Sequence, residues 1–465
     1  MPRWRGPLWA LFSATLVAAA APAWADTLET ALIQAYQNNP QINAQRAVVR
    51  ATDENVPQAL SGYRPRLSVT ATVGEQYTDA TTKSFQSNPA SYSTVTGNTA
   101  PRSFNATGTQ TLFNGFQTAN RTRQAESQVL AARETLRVIE QTVLLDAATA
   151  YMNLLRDTAI LDLQKRNVEV LQEQLRQTRD RFNVGEVTRT DVAQAESRLA
   201  AGQSQMLAAQ ANVTTSRAVY RRVIGVEPNR LTPGAPVDRF SPRTLDLAVA
   251  QGQAENPAVV AAAYGVDVAA LQVKISEGQL YPTVSVTASV TKSYETTVQQ
   301  PETLQASVLG QVSIPLYQGG GEFASIRQNK ETLGQRRIEL ALNRDQARAN
   351  VVQSWGQLEA AKAQIQATQA QVAAAEIALN GVREEARVGQ RTTLDVLNAQ
   401  QELVNARVAL VTAQRDRVVA SYTLLASVGR LAIPVLGLQV PVYDPMVHYQ
   451  QVRDSWFGVR TPDGR

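Results

Sequence analysis

The chain has 465 residues, 45 Lys and Arg against 40 Asp and Glu, a formal net charge of +5, no Cys and a single His. That charge is too small and too dispersed for a nucleic-acid partner, so no nucleic acid is expected. With His448 alone near the C-terminus, triad chemistry and His- or Cys-based metal centres are excluded, so no catalytic residue and no cofactor is expected.

Residues 1–25 carry Arg3 and Arg5, an apolar run from Leu8 to Ala21, and Ala23-Trp24-Ala25 before Asp26, which is the pattern of a secretory signal peptide. Losing Arg3 and Arg5 lowers the formal charge from +5 to +3, and with no Cys the new N-terminus at Asp26 is expected to carry no lipid. No later stretch offers the roughly 18 consecutive apolar residues of a membrane-spanning helix. If the chain enters a membrane, it does so as strands.

The remainder reads as a duplication. Thr27-Leu28-Glu29 through Asn39-Pro40 matches Thr244-Leu245-Asp246 through Asn256-Pro257 at an offset of 217, which also relates PRLSVTATV at Pro65 to PTVSVTASV at Pro282. From LFNG ending at Gly115 and LYQG ending at Gly319 the offset is 204, and it holds through Gly225 and Gly429. The difference, 217 − 204 = 13, assigns the first repeat a longer hairpin loop, about Thr81 to Pro101, whose Ser, Thr and Asn content reads as solvent-exposed. The expected organisation is a first repeat over 26–230, a linker over 231–243, a second repeat over 244–430 and a periplasmic tail over 431–465.

In each repeat, Asn39 or Asn256 caps a helix opened by Pro40 or Pro257. Leu67, Val69, Ala71 and Val73 then alternate with Ser68, Thr70 and Thr72, and Val284, Val286, Ala288 and Val290 alternate with Ser285, Thr287 and Ser289. These are strands near the membrane-crossing length of about 10 residues. Partner strands are expected over Ser103 to Phe113 and Thr303 to Leu316.

Between Phe116 and Val184 there is neither Gly nor Pro, and Leu154, Leu161, Val168, Leu175 and Phe182 recur every seven residues. This is coiled-coil spacing over a helix roughly 100 Å long. Leu163 and Val170 add a second apolar line, as a helix with neighbours on two sides requires, and Glu322 to Val388 is the counterpart in the second repeat. Return helices end near Gly225 and Gly429.

Four strands cannot close a barrel, and an open edge is not tolerated in lipid. Two chains would supply eight strands, with an interior filled by side chains, whereas three supply twelve and begin to leave a lumen. The fold class expected is therefore a membrane β-barrel joined to a long α-helical coiled-coil barrel. Each chain holds two internal repeats and four strands, and a homotrimer forms a 12-stranded barrel in outer-membrane lipid with an α-helical tunnel in the periplasm.

The duplicated order of helix, hairpin, long helix, turn and returning helix, with RFNVGEVTRTDV at Arg181 and VGQRTTLDVLNA at Val388, resembles the TolC family over nearly all of the mature chain. The start of the mature chain and the tail from Tyr443-Asp444-Pro445 to Trp456-Phe457-Gly458 look most like its type I secretion branch. The resemblance implies a passive exit duct in the outer membrane. It further implies a periplasmic adaptor (membrane fusion protein), an inner-membrane ABC or proton-driven pump, and export of proteins, drugs or other toxic compounds.

At the two helical turns, Gly185 and Gly389 stop a helix, Thr188 and Thr392 cap the next, and Asp191 and Asp395 complete capping boxes. Capping does not account for Val184 and Val388, apolar residues at exposed tips. By resemblance these tips meet the adaptor, through Val184, Gly185, Thr188, Val388, Gly389 and Thr392. The resemblance also makes Asp395 the acidic ring of a periplasmic constriction, with cation selectivity and a possible block by divalent cations although no resident metal is expected. Asn398 stands one turn later where a second acid is common, and Ala386 where a Tyr is common. The link between hairpins that holds the tip shut is expected from Arg391 to Asp191 or Thr190.

Other patterns point elsewhere. Gly319-Gly320-Gly321 lacks the Lys-Ser/Thr of a phosphate loop and reads as a strand-to-helix junction, and Glu384-Glu385 reads as solvated helix surface. A periplasmic coiled-coil adaptor would carry one helical hairpin and an inner-membrane anchor, and a structural spacer without a pore would not need alternating strands of membrane length.

Overall fold

The computed structural model describes residues 26–85, 89, 91–298, 300–462 and 464. The expected signal peptide at 1–25 lies outside the described residues.

The first half contains α1 (Leu28–Asn38), α2 (Pro40–Asp53), α3 (Asn55–Leu60), β1 (Arg66–Val73), β2 (Gln76–Ser84), β3 (Ser91–Thr99), β4 (Arg102–Asn114), α4 (Gln117–Asn183) and α5 (Arg189–Ile224). The second half repeats that order with α6 (Leu245–Glu255), α7 (Pro257–Glu277), β5 (Thr283–Thr297), β6 (Gln300–Ser313), α8 (Gly321–Arg387) and α9 (Thr393–Ser427), and short helices α10 (Ile433–Leu436) and α11 (Pro445–Val452) follow.

The helix starts follow local chemistry. Asn39 Oδ1 accepts from Gln41 N at 2.8 Å and Asn256 Oδ1 from Ala258 N at 2.9 Å, each with Pro at the first helical position. The same two side chains donate through Nδ2 to Val223 O (2.9 Å) and Ser427 O (3.0 Å), tying each hairpin-side helix to the far end of its own return helix.

Four strands pair antiparallel in the order β1-β4-β5-β6, with Ala106 opposite Val290 where the two halves meet. Among the described residues, both outer strands, β1 and β6, leave an unpaired edge. The expected partner strand Thr303–Leu316 begins at Gln300 and stops at Ser313, because Pro315 has no N–H to continue the ladder.

The loop expected at Thr81–Pro101 is corrected. Much of it is a second, two-stranded sheet of β2 and β3 that extends the first hairpin, with Thr81 opposite Thr94 and their hydroxyls 2.9 Å apart. Thr serves an exposed strand as readily as a loop, because its branched Cβ favours extended backbone and its hydroxyl pairs across strands.

Each of α4 and α8 runs for 67 residues, about 100 Å at 1.5 Å per residue. Of the heptad line, Leu154, Leu161, Val168 and Leu175 are buried, whereas Phe182 at the tip is 42% exposed. The main core sits midway along the long helices, where α1, α4, α5, α9 and α10 converge on Leu32, Leu144, Tyr151, Ile224, Leu425 and Ile433. Outside it, α8 leaves Ile338, Leu342 and Ile377 exposed by 65–73%.

Among the described residues, one helical run, Leu245–Leu280, contains an 18-residue window whose mean hydropathy is 1.5, enough by length and composition to cross a membrane. It is broken by the Asn256-Pro257 cap into α6 and α7, which pack on α8 and α4.

Two tyrosines in the core differ in one respect. The Tyr151 hydroxyl accepts from Thr232 N at 3.0 Å and lies 2.7 Å from the carbonyls of Asp26 and Thr232, clamping the start of the described chain to the segment after α5. Tyr220, 6.3 Å away ring to ring, buries a hydroxyl that has no partner among the described residues. Desolvation raises both phenol pKa values. Tyr151→Phe is expected to cost about 1–2 kcal/mol and Tyr220→Phe to be neutral or stabilising, because only the former strands polar groups. Thermal denaturation in detergent checks this, and equal losses in the two variants would refute it.

Candidate functional site: the two hairpin tips

Both long helices end the same way. Val184 and Val388 close α4 and α8, and Gly185 and Gly389 follow at φ +82° and +79°. Glu186 N then donates to Arg181 O (2.9 Å) and Gly185 N to Phe182 O (3.0 Å), with Gln390 to Glu385 and Gly389 to Ala386 as the matching pair. Only a residue without Cβ takes this left-handed position at no steric cost, which is why each turn carries Gly.

The next helices open on reciprocal caps. Asp191 Oδ2 accepts from Thr188 N (2.8 Å) and Oγ1 (2.7 Å), and Asp395 Oδ2 from Thr392 N (3.0 Å) and Oγ1 (2.9 Å). In return Thr188 Oγ1 accepts from Asp191 N at 3.4 Å and Thr392 Oγ1 from Asp395 N at 3.2 Å. These hydrogen bonds hold both carboxyls below the usual carboxylate range, led by the Thr188 side chain at Asp191 and by the Thr392 backbone at Asp395. Both aspartates are therefore charged at neutral pH. Each carboxylate binds its own cap through Oδ2.

The two tips face each other across a cleft of about 760 Å³ that is rich in charge. Thr188 and Asp191 line it from the first hairpin, with Ala386, Gly389, Arg391 and Thr392 from the second. Val184 and Val388 stand outside it, each 72% exposed. Thr190 is also exposed, and Asn398 sits one turn beyond Asp395.

The expected link from Arg391 to Asp191 or Thr190 is corrected for the single chain. Arg391 Nε donates to Glu385 Oε2 at 2.8 Å, within its own hairpin, because the Gly389 turn folds α9 back towards the last turn of α8. Glu384 pairs likewise with Arg387 at 3.0 Å, so the acidic pair is a solvated ion-pair surface. Near the tips the hairpins are joined by Leu397 packing against Leu171, Leu175 and Ala195, and by Arg198, whose Nη2 donates to Asn398 Oδ1 at 2.7 Å. Arg198 was not among the expected residues. The signal available was its position seven residues after Asp191, two helical turns along the same face.

Among the described residues, no group of three or more His, Cys, Asp or Glu within the chain could hold a metal ion. An acidic ring at Asp395 would take several copies of the chain.

A family model described as "Outer membrane efflux protein" matches residues 31–226 and 248–430. The outer membrane efflux protein BepC of Brucella suis is 43% identical over 470 residues, covering 98% of this chain and 96% of the relative. The outer membrane protein TolC of Escherichia coli is 25% identical over 426 residues, covering 86% and 82%. Among solved structures, the outer membrane protein VceC of Vibrio cholerae superposes with a TM-score of 0.73 at 19% identity, covering 86% of this chain and 96% of that one.

Proposed function

Because this chain belongs to the outer membrane efflux protein family, we propose that it acts as a homotrimeric exit duct in which three four-stranded sheets close one 12-stranded barrel. It is an outer-membrane channel with a helical body in the periplasm. The observation that carries the trimer is the sheet itself. Its two edges, at β1 and β6, are unpaired among the described residues, and an open edge in hydrocarbon costs several kcal/mol per unsatisfied group. The apolar side chains that α8 leaves exposed give the helical body the same need for neighbouring copies.

The two repeats, 26–230 and 244–430, then act as quasi-equivalent staves of one tunnel, with 231–243 linking them and 431–465 as the tail. The tips close its periplasmic end. Asp395 supplies a ring of three carboxylates there, with Asn398, Arg391, Thr190 and Asp191 around it. Val184, Gly185, Thr188, Val388, Gly389 and Thr392 form the surface on which a periplasmic adaptor docks. An inner-membrane ABC or proton-driven pump behind that adaptor selects the cargo, protein or small toxic compound, and the duct performs no chemistry. The adaptor and spacer alternatives lose to the family match and to strands that neither of them uses.

Single-channel recording of the mature protein in planar bilayers tests this reading. Small cation-selective openings, blocked by millimolar divalent cations in the wild type and not in Asp395→Ala, are expected. A folded trimer that forms no channels would overturn the duct, and unchanged block in the variant would overturn the ring.

A further inference from the structure

The C-terminal tail runs back along the helical body towards the sheet. The ring of His448 on α11 meets the buried Asp53 carboxylate of α2 at 3.0 Å, and Arg453 approaches Glu126 of α4 at 3.6 Å. Burial pushes the Asp53 carboxyl up, against the lowering effects of the His448 hydrogen bond and Arg133. Beyond Arg453 the tail reaches Arg64, whose Nη1 donates to Ser455 O at 2.7 Å and whose guanidinium lies 4.6 Å over the Trp456 ring.

Arg64 stands two residues before the start of β1, at the end of the sheet from which the helices depart. That rim is marked by exposed aromatic residues at every strand end, namely Tyr63 before β1, Phe116 after β4, Tyr281 before β5 and Tyr317 after β6. Such girdles lie at the membrane–water interface of a barrel. Arg64 holds Trp456 beside this rim, and Trp456, Phe457 and Val459 are exposed by 60%, 91% and 101%. The Phe457 ring lies 6.4 Å from that of Trp456, itself exposed, and the headgroup boundary rewards such aromatic and apolar surface more than water does.

We propose that Trp456, Phe457 and Val459 insert into the phospholipid headgroup boundary of the inner leaflet of the outer membrane, making the tail a second membrane contact beside the barrel. Arg64 orients the insertion by holding Trp456 at the rim. The inference rests on the reading of the sheet as the membrane barrel.

The mature chain holds two tryptophans, Trp355 and Trp456, since Trp4, Trp9 and Trp24 lie within residues 1–25. In Trp355→Phe protein reconstituted into phosphatidylethanolamine and phosphatidylglycerol vesicles, Trp456 is then the sole tryptophan. Phospholipid brominated near the top of its acyl chains is expected to quench its emission at least twofold, and phospholipid brominated near the chain ends less. Should Trp355→Phe fold poorly, the difference spectrum between wild type and Trp456→Phe reports the same signal from an exposed position. Val69→Trp in a Trp355→Phe, Trp456→Phe background places a reporter on the apolar face of β1 as a control. Quenching of that reporter without quenching of Trp456 overturns the tail contact and leaves the duct standing. Quenching of neither overturns both, and quenching of both supports both.

Discussion

Gly115→Ala is expected to prevent the chain from folding, whereas the same change at its repeat partner Gly319 leaves a folded chain that fails to assemble. Gly115 sits at φ +64°, and a Cβ there would lie 2.2 Å from Gly278 O and 2.9 Å from Tyr281 Cβ. A backbone carbonyl cannot swing aside as a flexible side chain can. Gly278 meets the same obstacle from the other side, since its own Cβ would fall 2.6 Å from Gly115 O. The β4–α4 junction of the first half thus crosses the α7–β5 junction of the second backbone to backbone. Relief would require moving a strand and a 67-residue helix together, for a cost above about 3 kcal/mol once left-handed strain is added to overpacking.

Gly319 has nothing within 4 Å of a Cβ, although its φ is +75°. If the trimer continues the internal repeat across the chain boundary, Gly319 meets the segment aligned with Gly278, around Ser61, of the next copy. The steric penalty then falls on assembly, and the chain itself bears only about 1–2 kcal/mol of backbone strain. Outer-membrane yield and native gels check both halves of the prediction. Gly115→Ala should give degraded protein and Gly319→Ala should accumulate monomer, and a normal trimer from Gly115→Ala would refute the close crossing.

Features determined within a few residues were legible before any coordinates. Asn39-Pro40 and Asn256-Pro257, the Thr188–Asp191 and Thr392–Asp395 boxes, and the turn glycines Gly185 and Gly389 all stand where local hydrogen bonding and φ demand. The long helices were legible because a heptad line and the absence of breakers are themselves local properties. The Thr81–Pro101 segment misled because Ser, Thr and Asn are common to exposed strands and to loops, and no apolar alternation separates the two. The docking of His448 on Asp53 joins residues 395 apart and leaves no periodic trace. Nor does the Arg198–Asn398 contact, which depends on how far each hairpin is rotated about its own axis. At the tips the cap pairs Thr188–Asp191 and Thr392–Asp395 could be named from motifs, whereas Arg198 and the pairing of Arg391 with Glu385 could not.

If the tips gate the proposed channel, that rotation decides which contact holds them shut. Arg198 Nη2 to Asn398 Oδ1, at 2.7 Å, is a direct hydrogen bond between the hairpins at the tip, whereas Arg391 is satisfied by Glu385 within its own hairpin. On the proposal that the tips close the tunnel, opening it requires the hairpins to move apart. A bond that crosses between them opposes this movement, and a bond confined to one hairpin travels with it. The contact is exposed, so each copy is worth about 0.5–1 kcal/mol. Three copies in a trimer would bias the closed state by about 1.5–3 kcal/mol, roughly a ten- to hundredfold shift in the ratio of closed to open channels. Arg198→Ala should therefore raise mean single-channel conductance several-fold, and Asn398→Ala should match it. The double variant should add little, because the two side chains share one bond. Arg391→Ala should leave conductance near wild type. The reverse pattern, with Arg391→Ala opening the channel and Arg198→Ala silent, would place the latch across the boundary between copies and remove the hairpin contact from the gate.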